Sequence, residues 1–258
     1  MSANPTRSAT RASRTEKLDA DEVRRARVWA SVSVAVMDRR HTDREYEGEL
    51  EQLREQVLLM GARVEEMMTL ALRAFSEQNP RLAKSTITQD RLVDEAEMQI
   101  DELCLRILAL RQPVASDLRF ITTTLKLVTD LERIADLCVN LCERVAEFGD
   151  EPVVGVSATI AQVGAIAQSM VHDALDAFVM RDAPKAEQVM DRDETVDRLH
   201  AEIIPELVGS MTRDPSLVPR AIRLISIAKY LERVADHATN IAEMVVFMVR
   251  GQDVRHMS

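Results

Sequence analysis

Cysteine is scarce in this chain of 258 residues, and the three present (Cys104, Cys138, Cys142) form no even disulfide framework. A chain of this length buries a sizeable core without staples, so a reducing cytoplasm is its natural compartment. Glycine (seven), proline (eight) and aromatic residues (3%) are also sparse, which leaves a vocabulary of Ala, Leu, Val, Glu and Arg, that of helices. Long apolar runs are missing. The nearest, Val28 to Met37, is too short to cross a bilayer. It follows "RRAR" as a signal peptide's apolar region would, but it lacks a small-residue cleavage site and continues into "DRRHTDREYE". Basic charge is in deficit: the formal net charge of -10 excludes a general polyanion binder, so no nucleic-acid partner is expected, and it suits cations or basic protein surfaces. Nor is there a Walker motif, a Gly-rich phosphate loop or a nucleophile beside a base, so no enzyme activity is expected.

What the chain has in quantity is apolar residues at helical spacing. Residues 1–36 read as an extension, polar and Arg-rich without periodicity to about residue 16, with room for a short helix from Leu18 to Met37. A first bundle is expected over 37–149 and a second over 150–258. Leu50, Leu53, Val57, Met60, Val64, Met67, Met68, Ala71 and Phe75 mark a helix from about Glu45 to Ser76, ended by "QNP". A second helix is expected from about Leu82 to Leu110. A third, capped by Ser116 or Asp117, runs to Phe148, and "GDEPVVG" (149–155) reads as a linker.

The same succession then returns. "ALRAF" at 71–75 answers "ALDAF" at 174–178, "DRLVD" at 90–94 answers "DETVD" at 193–197, and "LERIAD" at 131–136 answers "LERVAD" at 231–236. Three anchors in one order mean a tandem duplication of a three-helix unit. The fold class expected is therefore all-α: two tandem three-helix bundles, end to end or side by side.

The third helix of each copy has an apolar seam: Leu127, Leu131, Ile134, Cys138, Leu141 and Val145, then Ile227, Leu231, Val234, Ala238, Ile241 and Val245. About half a turn away lie Glu132, Asp136, Asn140 and Glu143, repeated as Glu232, Asp236, Asn240 and Glu243, an oxygen-rich strip expected to face outward. The plain reading is a solvated face, with Arg133 and Arg233 relieving Asp136 and Asp236. Carboxylates at i and i+4 nevertheless repel by a few tenths of a kcal/mol, and a solubilising face has no need of the same four letters at the same spacings twice. Several carboxylates and an amide oxygen suit hard or borderline cations. Asp90, Asp94, Glu97 and Asp101 share a face of the second helix and offer partners. Asp193, Asp197 and His200 hold the matching places, and Ile204 replaces the last carboxylate. His200 reads equally as a ligand or as a surface residue. Cys138 and Cys142 have a spacing that could hold a metal, but Cys138 falls on the seam, where cysteine is ordinarily a small apolar residue. The methionines read as core filler, and His172, His237 and His256 have no partner in the sequence.

At "RQPVASDLRF" (111–120), "TDLERIAD" (129–136), "YLERVADHATNIAE" (230–243) and "RGQDVRH" (250–256), the chain resembles the PhoU family of phosphate-transport accessory regulators, from about residue 45 to 256. The resemblance implies two three-helix bundles binding multinuclear clusters of divalent or trivalent metal ions (Fe, Zn, Mn or Mg). The Glu-x-x-x-Asp signature falls on Glu132 with Asp136 and on Glu232 with Asp236. It also implies a negative regulator that couples the ATPase of the phosphate ABC transporter to a sensor histidine kinase, cytoplasmic, near the membrane only through its partners, with room for a homodimer. Many relatives have Gly where Ala135 and Ala235 stand. Two other readings are a carboxylate-bridged di-iron enzyme, which needs inward Glu-x-x-His motifs this chain lacks, and a ligand-free helical spacer.

Overall fold

The computed structural model describes residues 20–148 and 156–251, with side chains from residue 44 onward. Residues 1–19, the linker 149–155 and His256 lie outside the described residues. The chain divides at Gly48: Met1–Glu47 is one unit and Gly48–Ser258 the other, so both repeats share a single body. Eight α-helices are described: α1 (Ala20–Ser76), α2 (Pro80–Ile87), α3 (Asp90–Arg111), α4 (Ala115–Ala146), α5 (Ser157–Met180), α6 (Ala183–Met190), α7 (Asp193–Arg213) and α8 (Val218–Arg250). None of them is long and apolar enough to cross a membrane.

The residues expected to form the core do so. Every member of the α1 series from Leu50 to Phe75 and of both third-helix seams is buried. Cys104, Cys138 and Cys142 are free and buried, and loss of water pushes the Cys142 thiol up to about 12, so these are packing residues without thiolate character.

Three local expectations differ from the structure. The helix expected over 82–110 is two helices, α2 and α3, parted at Thr88 and Gln89. There the Thr86 and Thr88 hydroxyls donate to the carbonyls of Leu82 and Ser85, offering the backbone an alternative to a continued helix, and α2 docks on α4. Neither Ser116 nor Asp117 caps α4. The chain turns earlier, through positive φ at Gln112 (50°) and Ala115 (48°), so the helix has begun before either residue could serve. Finally, α1 runs unbroken from Ala20, where two separate helices were expected.

The duplication extends to the turns. Gln78 (φ 50°) and Arg181 (φ 54°) end α1 and α5 in the left-handed region. One residue on, Asn79 accepts from the Leu82 amide at 3.1 Å and Asp182 from the Lys185 amide at 3.0 Å. Each is a side-chain cap at the start of a short helix.

The repeats lie side by side, joined by two antiparallel pairings of equivalent helices. Between α1 and α5, His172 Nδ1 lies 2.7 Å from Glu65 Oε1, and Gln168 Nε2 donates to Thr69 Oγ1 at 2.7 Å. Between α4 and α8, Arg119 Nε donates to the Met248 carbonyl at 3.2 Å, and Arg223 Nε to Glu147 Oε2 at 3.2 Å. Phe120 and Phe178 stack with centroids 5.7 Å apart, under the guanidinium of Arg54.

Candidate metal centres

Two helices build each acidic cleft. In the first, α3 carries Asp90, Asp94, Glu97 and Asp101 at intervals of three and four residues, and α4 carries Glu132 and Asp136 one turn apart. α3 packs along α4, and the acidic faces meet. Glu132 feels Glu97 and Asp94 across the gap as well as Asp136 on its own helix, and Asp90 feels Asp136.

Burial, followed by these neighbouring negative charges, lifts the carboxyls of Asp90, Glu97 and Glu132 above their ordinary range, and burial alone lifts Asp101. The Thr129 hydroxyl and Arg133 work against the rise at Glu97. Arg133 Nη1 donates to Asp136 Oδ2 at 3.1 Å, while its Nε lies 3.4 Å from Glu132 Oε2, an ion-pair distance without hydrogen-bond geometry. Glu132 Oε2 and Asp101 Oδ1 are buried and have no hydrogen-bond partner among the described residues.

The second cleft repeats the plan on α7 and α8. Burial raises Asp193, helped by Asp197 and Glu232 and eased by Thr239. Asp236 rises to about 6 through partial loss of water, then through Glu232, Asp193 and Asp197, with His237 opposing. Asp236 is nonetheless an exposed residue, and the partial loss of water outweighs each acidic neighbour as the cause of the rise. Asp193 Oδ1 and His200 Nε2 are buried without a hydrogen-bond partner among the described residues.

The strip expected to face outward therefore splits. Its glutamates turn to the neighbouring helix, Glu132 keeping 19% and Glu232 18% of their side-chain surface, because α3 and α7 cover that flank, whereas Asp136 keeps 42% and Asp236 is exposed. Asn140 instead donates to the carbonyl of Asp136 at 2.9 Å. Asn240 reaches toward Asp130 of the first repeat, its Nδ2 lying 3.5 Å from Oδ1. Glu143 is exposed beside Arg144.

The donor chemistry fits a cation: buried carboxylate oxygens lack hydrogen-bond partners among the described residues, although Arg133 lies 3.4 Å from Glu132 and Lys229 3.5 Å from Glu232. Among the described residues, however, no three His, Cys, Asp or Glu side chains already converge as a ligand set.

Asp130 and its partner His237 escaped sequence reasoning. Their Oδ1 and Nδ1 lie 2.7 Å apart at the α4–α8 seam, next to Asp236. Repetition could not reveal Asp130, since Tyr230 holds the matching place.

A duplicated, antiparallel helical body with an acidic cleft in each half defines the PhoU-like class of helical proteins. This chain belongs to the PhoU domain family, which matches residues 57–145 and 160–245, one match per repeat. It is 41% identical over 220 residues to a phosphate-specific transport system accessory protein PhoU homolog of Pseudomonas putida, covering 84% of this chain and 85% of that one. Identity to the phosphate-specific transport system accessory protein PhoU of Escherichia coli (strain K12) is 34% over 218 residues, covering 84% and 90%. Its fold superposes on the crystal structure of PhoU from Pseudomonas aeruginosa with a TM-score of 0.77 at 40% identity, covering 80% of this chain and all of that one. For the phosphate transport system regulatory protein PhoU from Streptococcus pneumoniae the TM-score is 0.76 at 29% identity, covering 81% and 99%.

Proposed function

We propose that this chain is a metal-binding regulatory adaptor of phosphate-specific transport. The accessory role is supported by family membership and by the names its relatives carry over nearly their full length. The metal reading rests on one observation: in both repeats the Glu–Asp pair of the third helix meets an acidic row on its neighbour, with buried oxygens that have no hydrogen-bond partner among the described residues.

Asp90, Asp94, Glu97, Glu132 and Asp136 would hold divalent or trivalent ions in the first cleft, and Asp193, Asp197, Glu232 and Asp236 in the second. When bound, the ions neutralise the crowded carboxylates and tie α3 to α4 and α7 to α8. The residues themselves gather the negative charge and fix the helix faces offered to partners. The adaptor catalyses nothing. It works at the cytoplasmic side, joining the transporter's ATPase to a sensor histidine kinase and holding the phosphate-starvation response down when phosphate is plentiful.

Elemental analysis of protein purified without chelators or tags tests the metal reading. Wild type is expected to carry metal, and the Glu132→Ala, Asp136→Ala, Glu232→Ala, Asp236→Ala variant is expected to lose it. Equal, negligible metal in both returns the chain to a ligand-free spacer. Failure to bind either the ATPase or the kinase under every metal and phosphate condition sinks the adaptor.

A further inference from the structure

Beside the C-terminal turn of α5 lies a hollow of about 450 Å3, the size of a small-molecule site. Phe120 and Phe178, both only 3% exposed, underlie it, and Leu58 and Val179, 45% and 46% exposed, give it apolar walls. None of the acidic-cleft carboxylates is among the residues that line it.

The charges around the hollow are unequally engaged. Arg54 donates from Nη1 to Glu51 Oε2 at 2.9 Å, so that pair is balanced internally. Arg181 lies with Cζ 5.8 Å from the centroid of the Phe120 ring, and a guanidinium held against a ring keeps its in-plane N–H donors for a carboxylate. Arg181 and Glu55 both line the hollow, both are exposed, and neither has an ion pair among the described residues. One cation and one anion therefore stand unmatched around an apolar space.

Unmatched surface charges are ordinarily only solvated, and the duplication supplies a control for that reading. At the places of Glu55, Leu58 and Arg181 the other repeat carries Ala158, Ala161 and Gln78. Gln78 makes the same left-handed turn, at φ 50° against 54°. The fold thus requires neither of the two charges nor the leucine, and all three gather at one hollow.

We propose that this hollow binds a small zwitterion with an apolar body, the chemistry of a free apolar amino acid. Its carboxylate meets Arg181, its ammonium meets Glu55, and its side chain lies between Leu58 and Val179. The complementarity is threefold, and each part can be removed separately from the ligand and from the protein.

The test titrates L-phenylalanine into the full chain while the methyl resonances of Leu58 and Val179 are followed by NMR. Both should shift with phenylalanine and stay still with glycine, which has the two charges without the apolar body. N-acetylphenylalanine, lacking the ammonium, and phenylalaninamide, lacking the carboxylate, are each expected to bind about fivefold more weakly, the upper end of what an exposed ion pair supplies. Arg181→Gln should weaken phenylalanine by the same factor and leave phenylalaninamide unchanged. Glu55→Ala should weaken phenylalanine likewise and leave N-acetylphenylalanine unchanged. Each substitution installs the residue that the other repeat carries, on a backbone the fold already accepts. Methyl resonances unmoved by every probe overturn the proposal. So does N-acetylphenylalanine binding as tightly as phenylalanine, which would mark a site for a plain organic anion, or two variants that weaken all probes alike.

Discussion

Leu72 packs directly on the bare backbone of Gly164, where an added Cβ would run into its Cδ2. Leu175 does the same at Gly61, with Cδ1 at 3.0 Å from where a Cβ would stand. Both residues of one contact lie 103 positions from their counterparts in the other, so a single α1–α5 contact occurs twice about a pseudo-two-fold axis. The pairs Glu65–His172 and Thr69–Gln168 obey the same symmetry. A glycine inside a helix costs about 1 kcal/mol against alanine, a cost offset here by the close approach of the helices.

Gly164→Ala is therefore expected to lower stability by about 1–3 kcal/mol through overpacking, read from the urea midpoint. In a Leu72→Ala background the clash is gone, and the same substitution should turn neutral or stabilise by up to about 1 kcal/mol. An equal loss in both backgrounds would show that the leucine is not what the glycine accommodates.

The symmetry is broken chemically at His172. The hydrogen bond to Glu65 is the largest influence on its imidazole; burial works against it, and Asp176 and Asp173 add to the rise, which ends above the ordinary value. Lys185 and Arg192 pair with those two aspartates and limit their effect. A raised folded value means stability fully present below the unfolded value near 6.5 and lost as pH climbs through the folded one. NMR titration should place the His172 midpoint above that of an unstructured histidine, and Glu65→Gln should return it. Coincident midpoints in the two proteins would dismiss the link.

How much of this was legible in the sequence depends on whether the signal is local. The seam from Leu127 to Val145 and its copy repeat at helical spacing, and helical spacing is what an amphipathic helix writes into a chain. The Glu132–Asp136 pair was legible because it recurs. Its direction was not: a helical wheel gives the angle to the seam, but which neighbour covers the flank is decided by packing. The break at Thr88–Gln89 was hidden because hydrophobic spacing runs on through it, and the Asp130–His237 pair because its partners are 107 residues apart.

The second cleft makes a prediction for metal-free protein. Asp236 rises to about 6, so between the ordinary carboxylate value of 3.8 and that point the native state holds a proton the unfolded chain has released. Its contribution is complete below about 3.8 and lost as pH rises through about 6. In the presence of chelator, wild type should lose stability relative to Asp236→Asn over that window. Adding metal should reverse the order at neutral pH, since protons and cations compete for one carboxylate. Parallel pH profiles for the two chelated proteins would show that the acidic crowd does not strain the apo fold.

The Asp130–His237 pair joins the repeats at α4 and α8, and both side chains are largely shielded, at 18% and 17% exposure. An exposed ion pair would contribute little, but a short bond of 2.7 Å with most water excluded falls in the range where removing one partner strands the other. The double-mutant cycle of Asp130→Ala and His237→Ala should therefore give a coupling of about 0.5–3 kcal/mol. Strict additivity of the two substitutions would mean that the α4–α8 seam is held by its apolar residues alone, with the pair a passenger upon it.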